Sequence, residues 1–253
     1  MIVAEGLHKR FERPGARRGA APLVAVESVG FVAEDGAVTG LLGPNGAGKS
    51  TTLRMLATLI RPDGGRASVD GHDVASEVLA VRRSLGFMPH DAGIYPRLSA
   101  RENVHYYARL CGLDAREARH RAGELLERLG MAGFADRRAA GFSQGQRTKV
   151  ALARALVHRP RTIMLDEPTN GLDVMATRSL RTLIADLAAS GHCILFSSHV
   201  MQEVAALCDT IAIVSEGRVA MVDSLGGILA ATGETDLEDA FVRATGADRG
   251  TDG

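Results

Sequence analysis

A glycine-rich segment in the first fifth of the chain carries residue types that bind phosphate. The sequence GPNGAGKST runs from Gly43 to Thr51, and four residues separate Gly43 from Gly48, Lys49 and Ser50. Glycines let backbone amides converge on an anion, and the N-terminus of a following helix adds positive charge there. Lys49 can reach the terminal phosphates, and the Ser50 hydroxyl can ligate Mg²⁺. The predicted phosphate-binding residues are Gly43, Pro44, Asn45, Gly46, Ala47, Gly48, Lys49, Ser50 and Thr51.

A pair of adjacent carboxylates ends an apolar segment further along the chain. The segment TIMLDE, residues 162–167, has the composition of a buried strand and places Asp166 and Glu167 at its end. A phosphate loop needs a carboxylate partner on a neighbouring strand, and Asp166 would hold the Mg²⁺ shell. Glu167 would orient and deprotonate an attacking water as a general base. Taken alone, Asp166 is also compatible with an acidic turn that binds no ligand.

The surrounding pattern predicts strands that alternate with helices. Short apolar segments have the character of buried strands, and the segments between them have helical periodicity. Such alternation predicts an α/β fold with a parallel sheet covered by helices. The predicted strands lie in 1–12, in 23–36 with a turn at Asp35 and Gly36, and at 38–43, 162–167, 193–198 and 211–217. The predicted helices are 49–60, 99–129 with a break at Gly112, 146–157, 174–189 and 200–207, and SEGRVAMVD is predicted as a hairpin at the sheet edge.

Three further stretches narrow the class of nucleotide-binding enzyme, because a phosphate loop and a carboxylate alone also permit kinases, GTPases, helicases and motor ATPases. GFSQGQRTKVALARALVHRP, residues 141–160, places a turn of small residues before an amphipathic helix, which predicts a second anion site. The sequence Asn-Gly-Leu-Asp at 170–173 closely follows Glu167. His199 ends the strand CILFSS.

In their order along residues 1–225, these motifs resemble those of the ATP-binding subunits of ABC transporters. FSQGQ stands where that family has its LSGGQ-like signature, GLD matches its D-loop and His199 matches its switch histidine. The resemblance implies a P-loop NTPase fold of the ABC type, with a mixed core sheet and helices, an antiparallel β subdomain and a helical lobe at about 90–155. It implies an ATP-binding domain at 1–225 and a short helical C-terminal extension with a frayed end at 226–253.

The resemblance also implies a site that two subunits share. In a head-to-tail homodimer or heterodimer, each ATP would lie between the phosphate loop of one subunit and the signature of the other. The cofactors would be ATP and Mg²⁺. The implied residues are Glu167, His199 and Lys49 for catalysis, Ser50, Asp166 and His90 at the metal, Asp173 in the D-loop, and Ser143, Gln144, Gly145 and Gln146 acting in trans on the γ-phosphate.

Four positions of this chain qualify the resemblance. Phe11 stands about where the family stacks an aromatic ring on adenine, and the alternative is a core phenylalanine on the first strand. The signature has Phe142 for the usual Leu and Gln144 for the first Gly, so Gln144 adds bulk and hydrogen-bonding capacity beside the nucleotide. In LGFMPHD, His90 stands where the family has a Q-loop glutamine. A neutral imidazole can accept a hydrogen bond from a Mg²⁺-bound water, which leaves its metal contact an open alternative.

The segment after His90 suggests where a partner binds. All three tyrosines, Tyr95, Tyr106 and Tyr107, lie in DAGIYPRLSARENVHYYARL, and aromatic residues with Arg are common interface anchors. In the family this lobe receives a coupling helix of the integral membrane permease, so Tyr95, Leu98 and Tyr106 are predicted to form that groove, with core packing as the alternative. PHDAGIYPRLSARENV also resembles the Nat-type, sodium-export branch, which implies an exporter with sodium ions as its solute.

Composition limits the remaining function classes. Lys+Arg and Asp+Glu are both 30, a formal net charge of zero that argues against a surface built for nucleic acid. No apolar run is long enough to cross a bilayer, so the expected location is cytoplasmic, on the inner face of the membrane through the permease. Two alternatives stay open. A soluble ABC ATPase acting on DNA or ribosomes is disfavoured because the chain lacks a long coiled coil and a second cassette, and a non-hydrolysing nucleotide-binding module is disfavoured because Glu167 and His199 are present.

Overall fold

A computed structural model describes residues 1–12 and 21–246 of the chain. Part of the loop predicted around 14–22 and the frayed end predicted for the last residues therefore lie outside the described residues. Within them, ten strands form one sheet in the order β5-β4-β1-β2-β10-β9-β3-β8-β7-β6. The strands are β1 (Ile2–Phe11), β2 (Leu23–Ala33), β3 (Val38–Leu42), β4 (Gly64–Val69), β5 (His72–Asp73), β6 (Leu85–Met88), β7 (Thr162–Asp166), β8 (Cys193–Ser198), β9 (Thr210–Ser215) and β10 (Arg218–Asp223).

The sheet has a parallel part and an antiparallel part. Strands β6, β7, β8, β3 and β9 pair in parallel, while β1, β2, β4 and β5 pair antiparallel. β9 and β10 form the predicted hairpin, and a single parallel bridge between Arg218 and Ser28 joins the two parts. Strands β3, β7 and β8 are buried along their whole length, as the apolar segments of the sequence predict. The mixed sheet with its antiparallel subdomain confirms the predicted fold class.

Nine α-helices cover the sheet or form a lobe beside it in the part of the chain that the structure describes. The helix after the phosphate loop is shorter than predicted and ends at Leu56, because Thr58 already has a φ of 59°. The signature helix begins two residues earlier than predicted, directly after Ser143. The helices are α1 (Lys49–Leu56), α2 (Val78–Ser84), α3 (Ala100–Leu110), α4 (Ala115–Arg128), α5 (Gln144–Leu156), α6 (Val174–Ala189), α7 (Met201–Leu207), α8 (Leu225–Thr232) and α9 (Leu237–Thr245).

The lobe of α3, α4 and α5 is held together by apolar packing and by one buried arginine. Val104, Leu125 and Leu152 belong to a continuous buried cluster that extends to the parallel strands. Arg121 on α4 is 7% exposed and donates from Nε to Val157 O (3.2 Å) and from Nη2 to Leu156 O (3.2 Å). These carbonyls lie at the C-terminal end of α5, where no intrahelical donor remains, so Arg121 ties α4 to the signature helix.

We expect Arg121→Met to lower the free energy of unfolding by about 2 kcal/mol, since two buried carbonyls lose their donors. This corresponds to a melting temperature lower by roughly 4–8 °C for a chain of this size. Thermal unfolding followed by circular dichroism measures the effect. Arg119→Met, at an exposed position of the same helix, is the control. Equal melting temperatures for the two variants would contradict the assigned role of Arg121.

Candidate functional site

The phosphate loop joins β3 to α1 in close contact with two neighbouring strands. At Gly43, a Cβ atom would lie 2.2 Å from Val214 O, and at Gly48 it would lie 2.6 Å from Ala25 O. Gly48 also has a φ of 102° and is the N-cap of α1. Only glycine fits both positions, so the tight packing of the loop against β9 and β2 explains the spacing seen in the sequence.

A cleft of about 280 Å³ opens in front of this loop. Leu23, Val24 and Ala25 of β2 form one wall, residues of the loop and of the first turn of α1 form another, and Glu167 closes the end. Ala47 is buried behind the loop, where its carbonyl accepts a hydrogen bond from Gly217 N (3.0 Å). The cleft therefore has a polar side, formed by the loop and the N-terminus of α1, and an apolar side, formed by β2. The predicted residues that line it are Asn45, Gly46, Gly48, Lys49, Ser50 and Thr51.

Lys49 is buried at the base of the cleft. Its ammonium donates to the carbonyls of Gly43 (2.7 Å) and Pro44 (3.0 Å), and its Nζ lies 3.4 Å from Glu167 Oε1. Burial lowers the pKa of Lys49 below its usual value, and the attraction of Glu167 opposes that shift. The loop thus holds the desolvated ammonium of Lys49 in place, beside the Glu167 carboxylate that follows β7.

Ser50 and Asp166 meet as the sequence predicts. Ser50 Oγ donates to Asp166 Oδ1 (3.1 Å), and Asp166 is 1% exposed. Ser197 Oγ, on the neighbouring strand β8, donates to the same carboxylate oxygen (2.7 Å). A hydroxyl and a carboxylate side by side are the hard oxygen donors that Mg²⁺ prefers. Sequence reasoning missed Ser197, although a serine inside a buried strand and two residues before His199 is a usable signal.

Glu167 has a strained backbone that points its side chain into the site. Its φ of 49° lies in the left-handed region, which is unfavourable for a residue with a Cβ. The Glu167 N–H donates to Ser197 O (3.1 Å) and to Ser197 Oγ (3.0 Å), and these bonds hold the conformation. Strain of this kind, held by surrounding contacts, is typical of functional positions.

Two histidines approach the same oxygen of Glu167. His199 Nδ1 lies 3.2 Å from Glu167 Oε2, and His90 Nδ1 lies 3.8 Å from it. Both imidazoles remain partly exposed, with 41% and 39% of the side chain accessible. Lys49 faces the other oxygen, so the carboxylate is surrounded by three basic side chains. The structure thus groups His90 with Glu167.

A second cleft, of about 270 Å³, meets the first at Glu167. It lies between His90 and Asp91 on one side and Gln144 and Arg147 of α5 on the other. The Glu167 carboxylate therefore stands where the phosphate-loop cleft and the signature-helix cleft join. A water molecule can reach Glu167 from either side.

The signature residues form the exposed N-terminus of α5. Ser143 and Gln146 make a capping box, with Ser143 Oγ accepting from Gln146 N (3.3 Å) and Gln146 Oε1 accepting from Ser143 N (3.1 Å). Gln144 packs against the D-loop of the same chain, since a Cβ at Gly171 would lie 3.2 Å from Gln144 Cγ. Gly145 faces Ala176 of α6. The departure from the family signature at Gln144 thus fills the space between signature and D-loop.

Asp173 and Phe11 occupy the margins of the site. Asp173 caps α6, and its Oδ1 accepts from Ala176 N (2.8 Å). Phe11 is the last residue of β1, pairs with Leu23 and is 38% exposed, with its ring 5.6 Å from Lys9 Nζ. Phe11 therefore lies beside the apolar wall of the cleft. A fully buried core position, the alternative interpretation of Phe11, is wrong.

The three tyrosines differ in their surroundings. Tyr95 and Tyr106 are 44% and 43% exposed and form an edge-to-face pair with ring centroids 5.3 Å apart. Tyr107 lies under the guanidinium of Arg154, 3.7 Å from the ring centroid, and Arg154 also donates to Gly93 O (2.7 Å). Tyr95 and Tyr106 thus form an exposed aromatic pair, whereas Tyr107 connects α3 to the signature helix.

Two features are absent from the residues that the structure describes. In residues 1–12 and 21–246, no group of three or more His, Cys, Asp or Glu side chains is arranged to hold a metal ion. A Mg²⁺ ion with one or two protein ligands completes its shell with phosphate oxygens and water, so the pair Ser50 and Asp166 fits this ion. No helix in these ranges combines the length and the apolar composition that crossing a bilayer requires.

The chain is similar in sequence to known proteins. Residues 26–170 match the family model described as "ABC transporter". The chain is 42% identical to the ABC transporter ATP-binding protein NatA of Bacillus subtilis, over 86% of this chain and 89% of NatA. It is 37% identical to the daunorubicin resistance ATP-binding protein DrrA3 of Streptomyces coeruleorubidus, over 97% of this chain and 74% of DrrA3.

A solved structure matches most of this chain. The dimeric, post-hydrolysis structure of the ATP-binding cassette MJ0796 with ADP and Pi superposes with a TM-score of 0.80 at 26% identity. The match covers 89% of this chain and 99% of that structure.

Proposed function

This chain belongs to the ABC transporter ATP-binding family, and on that premise we propose that it hydrolyses Mg²⁺-bound ATP to drive a separate membrane permease that exports sodium ions. One observation carries the hydrolytic part of the proposal. The Glu167 carboxylate stands at the end of β7, between Lys49 and His199, at the open side of the phosphate loop. This is the position from which a general base can activate water beside a bound γ-phosphate.

Each side chain then has a distinct task. The loop amides and Lys49 bind the phosphates, and Ser50 with Asp166 would hold Mg²⁺, which neutralises charge on the phosphate oxygens when bound. Glu167 accepts the proton of the attacking water. His199, whose Nδ1 lies 3.2 Å from Glu167 Oε2, keeps the carboxylate oriented, and Phe11 stacks on the adenine beside Leu23 and Val24. His90 stands beside Glu167 in the place of the family's glutamine, where its imidazole would accept a hydrogen bond from a water of the bound metal.

The signature completes the site from a second subunit. The exposed turn at residues 143–146 presents backbone amides and the positive end of a 13-residue helix, which suits the γ-phosphate of ATP held by a partner copy. Asp173 in the D-loop lies next to that turn. The dimeric form of the related cassette MJ0796 supports such a pairing. We therefore assign Ser143, Gln144, Gly145 and Gln146 to a site in trans, in a homodimer or a heterodimer.

The permease is the macromolecular partner in this proposal, and nucleic acid is not. The aromatic pair of Tyr95 and Tyr106, with the half-buried Leu98 nearby, offers the permease an exposed apolar contact on the helical lobe. This contact would hold the chain at the cytoplasmic face of the membrane. Export is supported by the likeness to NatA and to a drug-resistance ATP-binding protein. The resemblance of the motif around His90 to the sodium-export branch favours sodium over a drug.

Transport by the complex with its permease tests this proposal. In inverted membrane vesicles that contain both subunits, we expect ATP to drive radioactive sodium into the lumen, because an exporter pumps away from the cytoplasmic face. A protonophore removes transport by proton-coupled carriers, and omission of Mg²⁺ should abolish the uptake. Uptake of daunorubicin without uptake of sodium would show that the complex is an exporter whose solute is the drug. ATP hydrolysis without transport of either solute would contradict the export proposal.

A further inference from the structure

A buried glutamate, Glu203, lies behind the turns that carry Glu167 and His199. Glu203 is on α7, four residues after His199, and is 8% exposed. Its Oε2 accepts hydrogen bonds from Thr169 Oγ1 (2.5 Å) and from Ser198 Oγ (3.2 Å). Thr169 and Ser198 are themselves buried, at 8% and 2%. Neither the motifs nor the site geometry described so far assigns a role to Glu203.

The surroundings of Glu203 are unfavourable for a carboxylate, so this side chain does not serve stability alone. Within residues 1–12 and 21–246, no cationic side chain lies within ion-pair distance of Glu203, so two hydroxyl groups are its hydrogen-bond donors. Removing a carboxylate from water costs several kcal/mol even after relaxation, and well-packed apolar residues often stabilise such a position equally well or better. The position therefore calls for a role that an apolar side chain could not fulfil.

The two hydrogen-bond donors belong to the two segments that carry the catalytic pair. Thr169 is two residues after Glu167, and its turn is closed by the bond from Asn170 N to Glu167 O (3.2 Å). Ser198 directly precedes His199, and Ser198 Oγ accepts from Val200 N (3.0 Å). A single carboxylate oxygen thus connects the turn after Glu167 with the turn that presents His199. Between these turns lies the Nδ1–Oε2 contact of 3.2 Å.

We propose that Glu203 is a positioning residue that fixes the separation between Glu167 and His199 by bridging Thr169 and Ser198. The proposal rests on the function proposed above, since it concerns the hydrolysis step. The hydroxyls of Thr169 and Ser198 both donate to one oxygen of Glu203. The amide oxygen of glutamine can replace this acceptor, but methionine cannot. Because Thr169 also begins the loop that leads to Asp173, the same bridge fixes the D-loop relative to the switch histidine.

Glu203→Met is the main test, because methionine is similar in size and accepts no strong hydrogen bond. We expect kcat for ATP hydrolysis to fall about 10- to 100-fold, the scale of losses that follow small misplacements of a reacting group. The KM for ATP should change less than about threefold, since Glu203 does not line the phosphate-loop cleft. The melting temperature should stay equal or rise, because a desolvated charge has been removed.

Three further variants separate positioning from folding. Glu203→Gln keeps an acceptor oxygen and should retain kcat within about threefold. Thr169→Val removes one donor without changing side-chain shape, lowers kcat, and should add little when combined with Glu203→Met. It also provides the test should Glu203→Met fail to fold. Gln202→Met, at an exposed neighbouring position, is the matched control and should behave as wild type.

The outcomes are distinct. Wild-type kcat in Glu203→Met and in Thr169→Val would overturn the positioning role. So would equal losses in Glu203→Gln and Glu203→Met, which would show that the charge matters and the bridge does not. A kcat loss in Glu203→Met that glutamine restores, at unchanged KM, supports the role. If the wild type, alone and with its permease, releases no phosphate from ATP, the proposed function itself fails.

Discussion

Replacing Glu167 with glutamine should abolish ATP hydrolysis and leave ATP binding intact. Glutamine has the same shape and keeps one acceptor oxygen beside Lys49 and His199, but its amide cannot take a proton from water. General-base catalysis contributes about 10²- to 10⁴-fold, so we expect kcat to fall at least about 100-fold. The Kd for ATP should remain within about threefold, because the loop and Lys49 are unchanged.

ATP that is bound and not hydrolysed should also change the oligomeric state of the Glu167→Gln protein. If the signature of one subunit binds the γ-phosphate held by another, ATP that cannot be hydrolysed holds the two together. We expect Glu167→Gln to be a monomer without nucleotide and a dimer with ATP and Mg²⁺, measured by light scattering during gel filtration. Phosphate release measured in parallel reports the loss of turnover.

Glu216→Gln is a closely matched control. Glu216 also has a φ of 49° in a tight turn after a core strand, but it is exposed and lies outside both clefts. It should hydrolyse ATP at the wild-type rate and show no ATP-dependent dimer beyond that of the wild type. If Glu167→Gln retains more than about a tenth of wild-type kcat, another group acts as the base and the role assigned to Glu167 is wrong.

The phosphate loop and the buried strands could be predicted because local chemistry dictates them. Gly43 and Gly48 have no room for a Cβ, and Asp166 ends a strand of five buried residues, three of which are the apolar Ile163, Met164 and Leu165. The strands at 64–69, 72–73 and 85–88 were not predicted from the residues. They are short, and β4 begins with two glycines, so their strand conformation depends on pairing with β1 and β7.

The residues that support the site residues from behind could not be predicted from the spacing of the sequence motifs. Ser197 bonds to Asp166, and Glu203 bonds to Thr169, across strand and loop neighbours that only the sheet order brings together. His90 illustrates the same limit. The resemblance aligned it with the Q-loop glutamine and left its metal contact open, whereas its proximity to Glu167, 3.8 Å from Nδ1 to Oε2, follows from the fold. Long-range partners of this kind follow from topology and not from the local sequence.

Lys49→Met should weaken ATP binding more than any change outside the phosphate loop. Lys49 is 4% exposed and its ammonium is already oriented by the carbonyls of Gly43 and Pro44, so its charge is fixed before ATP arrives. A hydrogen bond to a charged group contributes about 1.5–3 kcal/mol, which corresponds to a Kd roughly 10- to 150-fold higher. Isothermal titration with ATP, in the Glu167→Gln background to prevent turnover, measures this change.

Lys149→Met is the control for Lys49→Met, because Lys149 lies on the signature helix away from the phosphate loop and its replacement removes the same charge. It should bind ATP as the parent does. The stabilisation by ATP is measured against each variant's own melting temperature without ATP, because Lys49→Met also removes the donor of the Gly43 and Pro44 carbonyls. ATP should then stabilise the Lys149→Met protein but not the Lys49→Met protein at the same nucleotide concentration. Equal Kd values for the two variants would show that the loop amides alone bind the phosphates, since Lys49 would then add no affinity.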